Sequence, residues 1–163
     1  MDIHKVFAYA LQREYEGKRF FDENAERLSH AAAISAFKAL SGEEAKHIIF
    51  IQNQIKALEK GEFLDSKEGE EFEKAGFFTQ RANSEFLDQT IVEAMVPDLP
   101  VLRTAYLIEH DFAEFYARSA ESAEGEAKRA LEMLSRWEHG HELFFLQLHD
   151  KAFEAYSQMP WGG

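Results

Sequence analysis

The chain has 163 residues, the size of one domain with a single stable core. Eighteen basic against thirty acidic side chains leave a formal charge of −12, which argues against nucleic acid and anionic membranes as partners, because both need clustered Lys and Arg. The absence of cysteine excludes disulfides, thiolate zinc sites, iron–sulfur clusters and a cysteine nucleophile, so any metal must be held by nitrogen and oxygen.

With 45% hydrophobic residues and fifteen Phe, the chain has enough apolar surface to offset its ordering entropy and should fold. No apolar run approaches the roughly 20 residues of a membrane span, and the start shows no signal-peptide pattern. A cytoplasmic location is the default expectation. Three prolines and nine glycines leave long stretches of Ala, Glu, Leu, Lys and Gln in helical rather than alternating patterns. The first helix is predicted from about Ile3 to Leu28, with a break near Ser29 and His30, and the second from about Ala33 to Lys60, stopped by Gly61. Residues 62–97 are too long for a hairpin turn and too rich in Phe for a solvated linker. They suit a crossover with short helices near Glu68 to Ala75 and Ser84 to Met95, burying Phe72, Phe77, Phe78, Phe86 and Ile91. Its charge run, Glu68 to Glu73, reads as a solvated face. Asp98 followed by Pro100 is an N-cap signal for a third helix reaching about Ala123, and Gly125 separates it from a fourth, about Glu126 to Tyr156. Two short connections make two antiparallel pairs. The expected fold is an all-α four-helix bundle with one long crossover, forming a single domain.

Each helix interrupts its apolar stripe with carboxylate. The inward paths are Phe7, Leu11, Glu14, Lys18, Phe21, Ala25, Leu28, then Phe37, Leu40, Glu44, His47, Ile51, Ile55, Leu58. The third and fourth are Leu102, Ala105, Glu109, Phe112, Tyr116, Ala120 and Ala127, Leu131, Leu134, Glu138, His141, Phe145, Leu148, Ala152. Four carboxylates and two imidazoles at comparable heights cannot remain as bare charges, since an unpaired buried ion costs on the order of several kcal/mol. Lys18, one turn beyond Glu14, is long enough to reach outward and is not their counter-ion. Two divalent cations would balance four Glu. Glu-x-x-His puts a carboxylate and an imidazole on one helix face about 60° apart, able to reach a common metal.

Seven His in this Glu-rich chain produce roughly one Glu-x-x-His by accident, so two occurrences alone carry little weight. The internal repeat makes them specific. Ala10, Glu14, Phe20 and Phe21 recur as Ala105, Glu109, Phe115 and Tyr116 at an offset of 95, and Phe37, Glu44 and His47 recur as Leu131, Glu138 and His141 at an offset of 94. A metal-free bundle with a buried polar network is the competing reading.

These motifs, Ala10-x-x-x-Glu14-x-x-Gly17-x-x-Phe20-Phe21, Phe37-x-x-Leu40-x-x-x-Glu44-x-x-His47, Ala105-x-x-x-Glu109-x-x-Phe112-x-x-Phe115-Tyr116 and Leu131-x-x-Leu134-x-x-x-Glu138-x-x-His141, resemble the rubrerythrin-like branch of the ferritin-like superfamily over most of the chain. The resemblance implies two iron ions, with Glu14 and His47 on one, Glu109 and His141 on the other, and Glu44 and Glu138 bridging. Manganese or zinc are alternatives for the metal. It also implies reduction of peroxide or dioxygen, or oxidation of ferrous iron, in oxidative-stress defence or iron handling. A non-catalytic iron-delivery module and a structural bundle binding zinc are the alternatives. Three departures stand out: Phe112 occupies the place where rubrerythrins carry an extra Glu, Phe21 stands opposite Tyr116 where the family has paired tyrosines, and there is no Cys to build a rubredoxin domain. Electrons must therefore come from an external donor such as a rubredoxin-like protein. Relatives often dimerise, and a homodimer is the expectation. Tyr116 can either hydrogen-bond a metal-bound carboxylate or simply fill space. His139 diverges from His141 by about 200° and is expected at the surface, and His110 and His149 are read as ordinary structural residues.

Overall fold

The computed structural model describes residues 1–62, 65–75 and 94–160. The helices, in chain order, are α1 (Ile3–Ala25), α2 (Ala31–Glu59), α3 (Lys67–Ala75), a short 3-10 turn (Val96–Asp98), α4 (Leu99–Glu121) and α5 (Gly125–Gln158). Among the described residues there is no strand, and none of the helices is long and apolar enough to cross a membrane. The four long helices fall close to their predicted bounds. Phe77, Phe78, Phe86 and Ile91, and the second predicted crossover helix as far as residue 93, lie outside the described residues; its predicted last residue, Met95, is buried.

Local chemistry sets the helix ends. The Asp2 side chain accepts from the Lys5 N–H at 3.3 Å and caps α1. Gly61, at φ 68°, follows α2. Beyond it Glu62 N donates to Ala57 O at 2.9 Å, the six-to-one bond that closes a helix with a left-handed residue. Asp98 corrects the sequence reading: its side chain makes no capping bond to α4. Its buried carboxylate instead accepts the Ser29 N–H at 3.1 Å and the Ser29 hydroxyl at 3.1 Å, tying the start of α4 to the α1–α2 connection.

The core is split in two along the bundle. One cluster gathers the end of α1 (Phe21, Ala25), the start of α2 (Phe37, Leu40), the start of α4 (Leu102, Ala105) and the end of α5 (Phe145, Leu148). The other gathers the start of α1 (Phe7, Ala10), the end of α2 (Phe50, Ile51), the end of α4 (Phe112, Tyr116) and the start of α5 (Leu131, Leu134). This distribution makes α1 antiparallel to α2 and α4 antiparallel to α5. The connection from α2 to α4 must return along the bundle, as a crossover does.

The buried face of α1 is Phe7, Ala10, Glu14, Gly17, Phe21 and Ala25. Ala10 and Gly17 take the places assigned from sequence to Leu11 and Lys18. Lys18 points outward and pairs with Asp22 at 2.7 Å, so it supplies no positive charge to Glu14. On α3 the charge run is only partly a solvated face: Glu73 pairs with Arg136 at 2.9 Å, Glu68 accepts from Asn53 at 2.8 Å, and Phe72 is half-buried. The backbone of α3 presses on the bundle at Gly69, where a Cβ would run into Met133 Sδ and lie 3.2 Å from Trp137 Cη2. A larger residue there would require the Met133 side chain to shift.

Candidate metal centre

Between the two apolar clusters lie Glu14, Glu44, His47, Glu109, Glu138 and His141, none of them more than 2% exposed. The helical register explains how they meet. Glu14 on α1 and Glu109 on α4 enter singly, and each Glu-x-x-His pair enters from one face of α2 or α5. All six positions singled out from the sequence converge. They form two groups whose ligand atoms lie within 4.8 Å of one another, Glu14, Glu44, His47, Glu138 and Glu44, Glu109, Glu138, His141.

The distances show how the groups are joined. His47 Nδ1 lies 2.8 Å from Glu138 Oε1, 3.3 Å from Glu14 Oε2 and 3.7 Å from Glu44 Oε2. His141 Nδ1 lies 3.4 Å from Glu138 Oε2, 3.5 Å from Glu44 Oε1 and 3.5 Å from Glu109 Oε2. Glu44 and Glu138 thus turn one oxygen towards each imidazole. Glu14 approaches only His47, and Glu109 only His141. The two imidazoles lie nearly parallel, with ring centroids 5.5 Å apart.

Close approach is not the same as hydrogen bonding. Both oxygens of Glu44, Glu109 and Glu138 and both ring nitrogens of His141 lack a well-aligned hydrogen-bond partner among the described residues, although Glu138 Oε1 is only 2.8 Å from His47. The contact is favourable in charge but misdirected as a hydrogen bond. Buried polar atoms in native proteins are nearly always satisfied. Eight such atoms converging on one small volume, all from residue types that ligate metals, fit a metal site.

Without metal the cluster balances itself with protons. Burial, then the charges of Glu138 and Glu14, push the Glu44 carboxyl well above its usual range. Burial and Glu44 do the same to Glu109. Burial opposes charge on both imidazoles, yet the carboxylates win. Glu138 and Glu44 hold His47, and Glu109 and its neighbours hold His141, well above the ordinary histidine value. Burial also works against ionisation of Glu138, but its contacts with His47 and His141 keep that carboxyl well below its usual range.

The surroundings orient these groups. The buried Tyr116 hydroxyl donates to Glu14 Oε1, and burial together with Glu14 raises its pKa well above the usual phenol value. Phe21 belongs to the other half of the core, stacked on Phe145 with centroids 5.7 Å apart. Trp137 was not singled out from sequence. It stacks on His47 with centroids 4.9 Å apart and meets Phe50 edge-on at 5.4 Å. Its spacing of three from Leu134 was the available signal. His139 is exposed, as expected. His110 and His139 share Glu142, with Nδ1 atoms 2.8 Å and 2.9 Å from its two oxygens, a link between α4 and α5 that helical spacing alone does not reveal.

A family model described as Rubrerythrin matches residues 5–149. The chain belongs to the rubrerythrin family. No curated protein and no solved structure matches it. For a rubrerythrin family member the helical architecture is that of the ferritin-like bundle, and membership implies a di-iron carboxylate protein. The buried cluster of Glu and His in this rubrerythrin-type bundle fits that class.

Proposed function

We propose that the chain is a di-iron oxidoreductase that reduces hydrogen peroxide or dioxygen, using a separate protein as electron donor. In this reading Glu14 and His47 hold one ion, Glu109 and His141 the other, and Glu44 and Glu138 bridge the pair. The sharing of Glu44 and Glu138 between both groups, one oxygen beside each imidazole, supports it most directly. Two bound ferrous ions would supply the two electrons that, with two protons, convert one peroxide to two waters.

The chain's own residues do the rest. Four glutamates neutralise two divalent charges, so the loaded core carries no net charge into a low-dielectric interior. The Tyr116 hydroxyl fixes Glu14 through the oxygen that His47 does not approach. The paired phenylalanine clusters exclude bulk water from both ends. With no cysteine in the chain, the returning electrons come from outside it, and we assign that role to a rubredoxin-like donor. A homodimer working in the cytoplasm completes the proposal.

Iron content after aerobic purification, followed by rapid mixing of the ferrous protein with hydrogen peroxide and separately with air-saturated buffer, tests this reading. The expected result is bound iron and a fast ferric absorbance change with at least one oxidant. Bound iron with only slow change would favour iron storage or delivery. Bound zinc, or no metal, would overturn the redox reading.

A further inference from the structure

The six side chains of the cluster are at most 2% exposed, so a small reactant reaches them past a side chain that moves. Among the described residues, three directions out of the cluster are closed by packed side chains. At one end Phe21, Phe37 and Phe145 pack ring on ring, with centroids 5.4 to 5.7 Å apart. At the other stand Phe7, Ile51, Leu131 and Leu134, all buried. Past His47 lies Trp137, backed by Phe50 and by the closely seated backbone of α3 at Gly69.

The seam between α1 and α4 is thinner. A Cβ placed on Gly17 would lie 2.9 Å from Phe112 Cε2 and 3.7 Å from Glu44 Oε2, so the tip of the Phe112 ring sits in the space glycine leaves, beside the carboxylate. Over the face of that ring lies the Arg13 guanidinium, 4.8 Å from its centroid. Arg13 is half-buried and lines an outer groove of about 530 Å³ together with Tyr9, His110 and Phe115. Between groove and Glu44 the structure thus places one guanidinium and one ring. Phe112 is a buried ring of the second cluster, but its cover, Arg13, is not strongly held. Arg13 donates to the Tyr9 hydroxyl at 3.2 Å, and a cation–π contact of this kind is worth about 0.5–2 kcal/mol. A phenyl ring lying against a glycine can rotate without colliding with a neighbouring Cβ.

The geometry points to Phe112, seated against Gly17 and covered by Arg13, as the gate through which oxidants reach the cluster and as the residue that limits them to the size of hydrogen peroxide or dioxygen. This rests on the oxidant-reducing reading above. Rim charge does not select among uncharged oxidants, so the selection is by size. The ring that swings aside still occupies part of the seam, so the path it opens is narrower than the one its removal would leave, and a branched alkyl hydroperoxide is held back by the ring itself.

Phe112→Ala and Phe112→Leu, each checked for iron content and helicity, test the gate in two ways. One readout is free of turnover: nitric oxide, a diatomic of dioxygen's size, is mixed with the ferrous protein and its association followed by absorbance. The rate should rise about tenfold in Phe112→Ala and less in Phe112→Leu, because binding no longer waits for the ring to move. The other is the ratio of the rates with tert-butyl hydroperoxide and hydrogen peroxide, expected to rise at least about tenfold in Phe112→Ala and by an intermediate factor in Phe112→Leu. An unchanged nitric oxide rate and an unchanged ratio, with iron content intact, would overturn the gate. If Phe112→Ala fails to fold, the leucine variant decides alone. If no peroxide reacts with any form, the peroxide reading falls, and the nitric oxide rates still decide the gate.

Discussion

Replacing Glu138 with alanine should leave the protein able to bind a single iron at most, and should weaken the metal-free fold as well. Glu138 is the one carboxylate that approaches both imidazoles within 3.4 Å. Removing it deprives both proposed ions of a shared ligand, and two buried, proton-holding imidazoles lose their common counter-charge. Deleting one partner of a buried ion pair costs about 3–5 kcal/mol. Glu138→Gln keeps the volume and one oxygen, so its packing is preserved while its charge is lost. Iron stoichiometry by chelator assay and chemical denaturation of the metal-free forms check both effects. Unchanged iron binding in Glu138→Ala would refute the bridging role, and a metal-free fold as stable as the parent would refute the charge account.

The second large effect is on pH dependence, which should have opposite sense with and without metal. A group whose pKa is raised by folding holds its proton more tightly in the folded than in the unfolded chain. Its contribution to stability is complete below the unfolded value and is lost as pH rises through the folded one. His47 and His141 are both raised, so their contribution fades above about pH 6.5, the unfolded histidine value. Glu44 and Glu109, also raised, act in the same direction from lower pH. Glu138, held low, acts oppositely, and its contribution is lost only in acid. From pH 6 to 9 the metal-free protein should therefore lose stability, at up to about 1.4 kcal/mol per pH unit for each excess proton held by the folded state. Metal displaces those protons, so its affinity rises over the same range. Thermal melts of both forms at several pH values should diverge as pH increases. Parallel curves would contradict the proton-balanced cluster.

Much of this architecture is legible from residue spacing, because helices repeat every 3.6 residues and the six charged positions fall on apolar stripes in all four. Glu44 and His47 cannot leave the core without taking Leu40 and Ile51 with them, and the same holds for Glu138 and His141 with Leu134 and Phe145. Spacing says less about which of two neighbours faces inward when one is small. Gly17 rather than Lys18 is buried because Phe112 needs the room, a fact that resides on another helix. Asp98 looks like a cap for its own helix, yet its carboxylate goes to Ser29, which is distant in sequence. The Glu142 link between His110 and His139 and the seating of α3 at Gly69 likewise depend on how helices rotate about their axes. That rotation is set by packing, which a single helix does not encode.

Anomalous diffraction at the iron edge, from crystals grown with ferrous iron under anaerobic conditions, tests the central claim most directly. Two peaks per chain are expected, one between Glu14 and His47 and one between Glu109 and His141, with Glu44 and Glu138 contacting both. A single peak, or none, with the six side chains still paired only to one another, would contradict it.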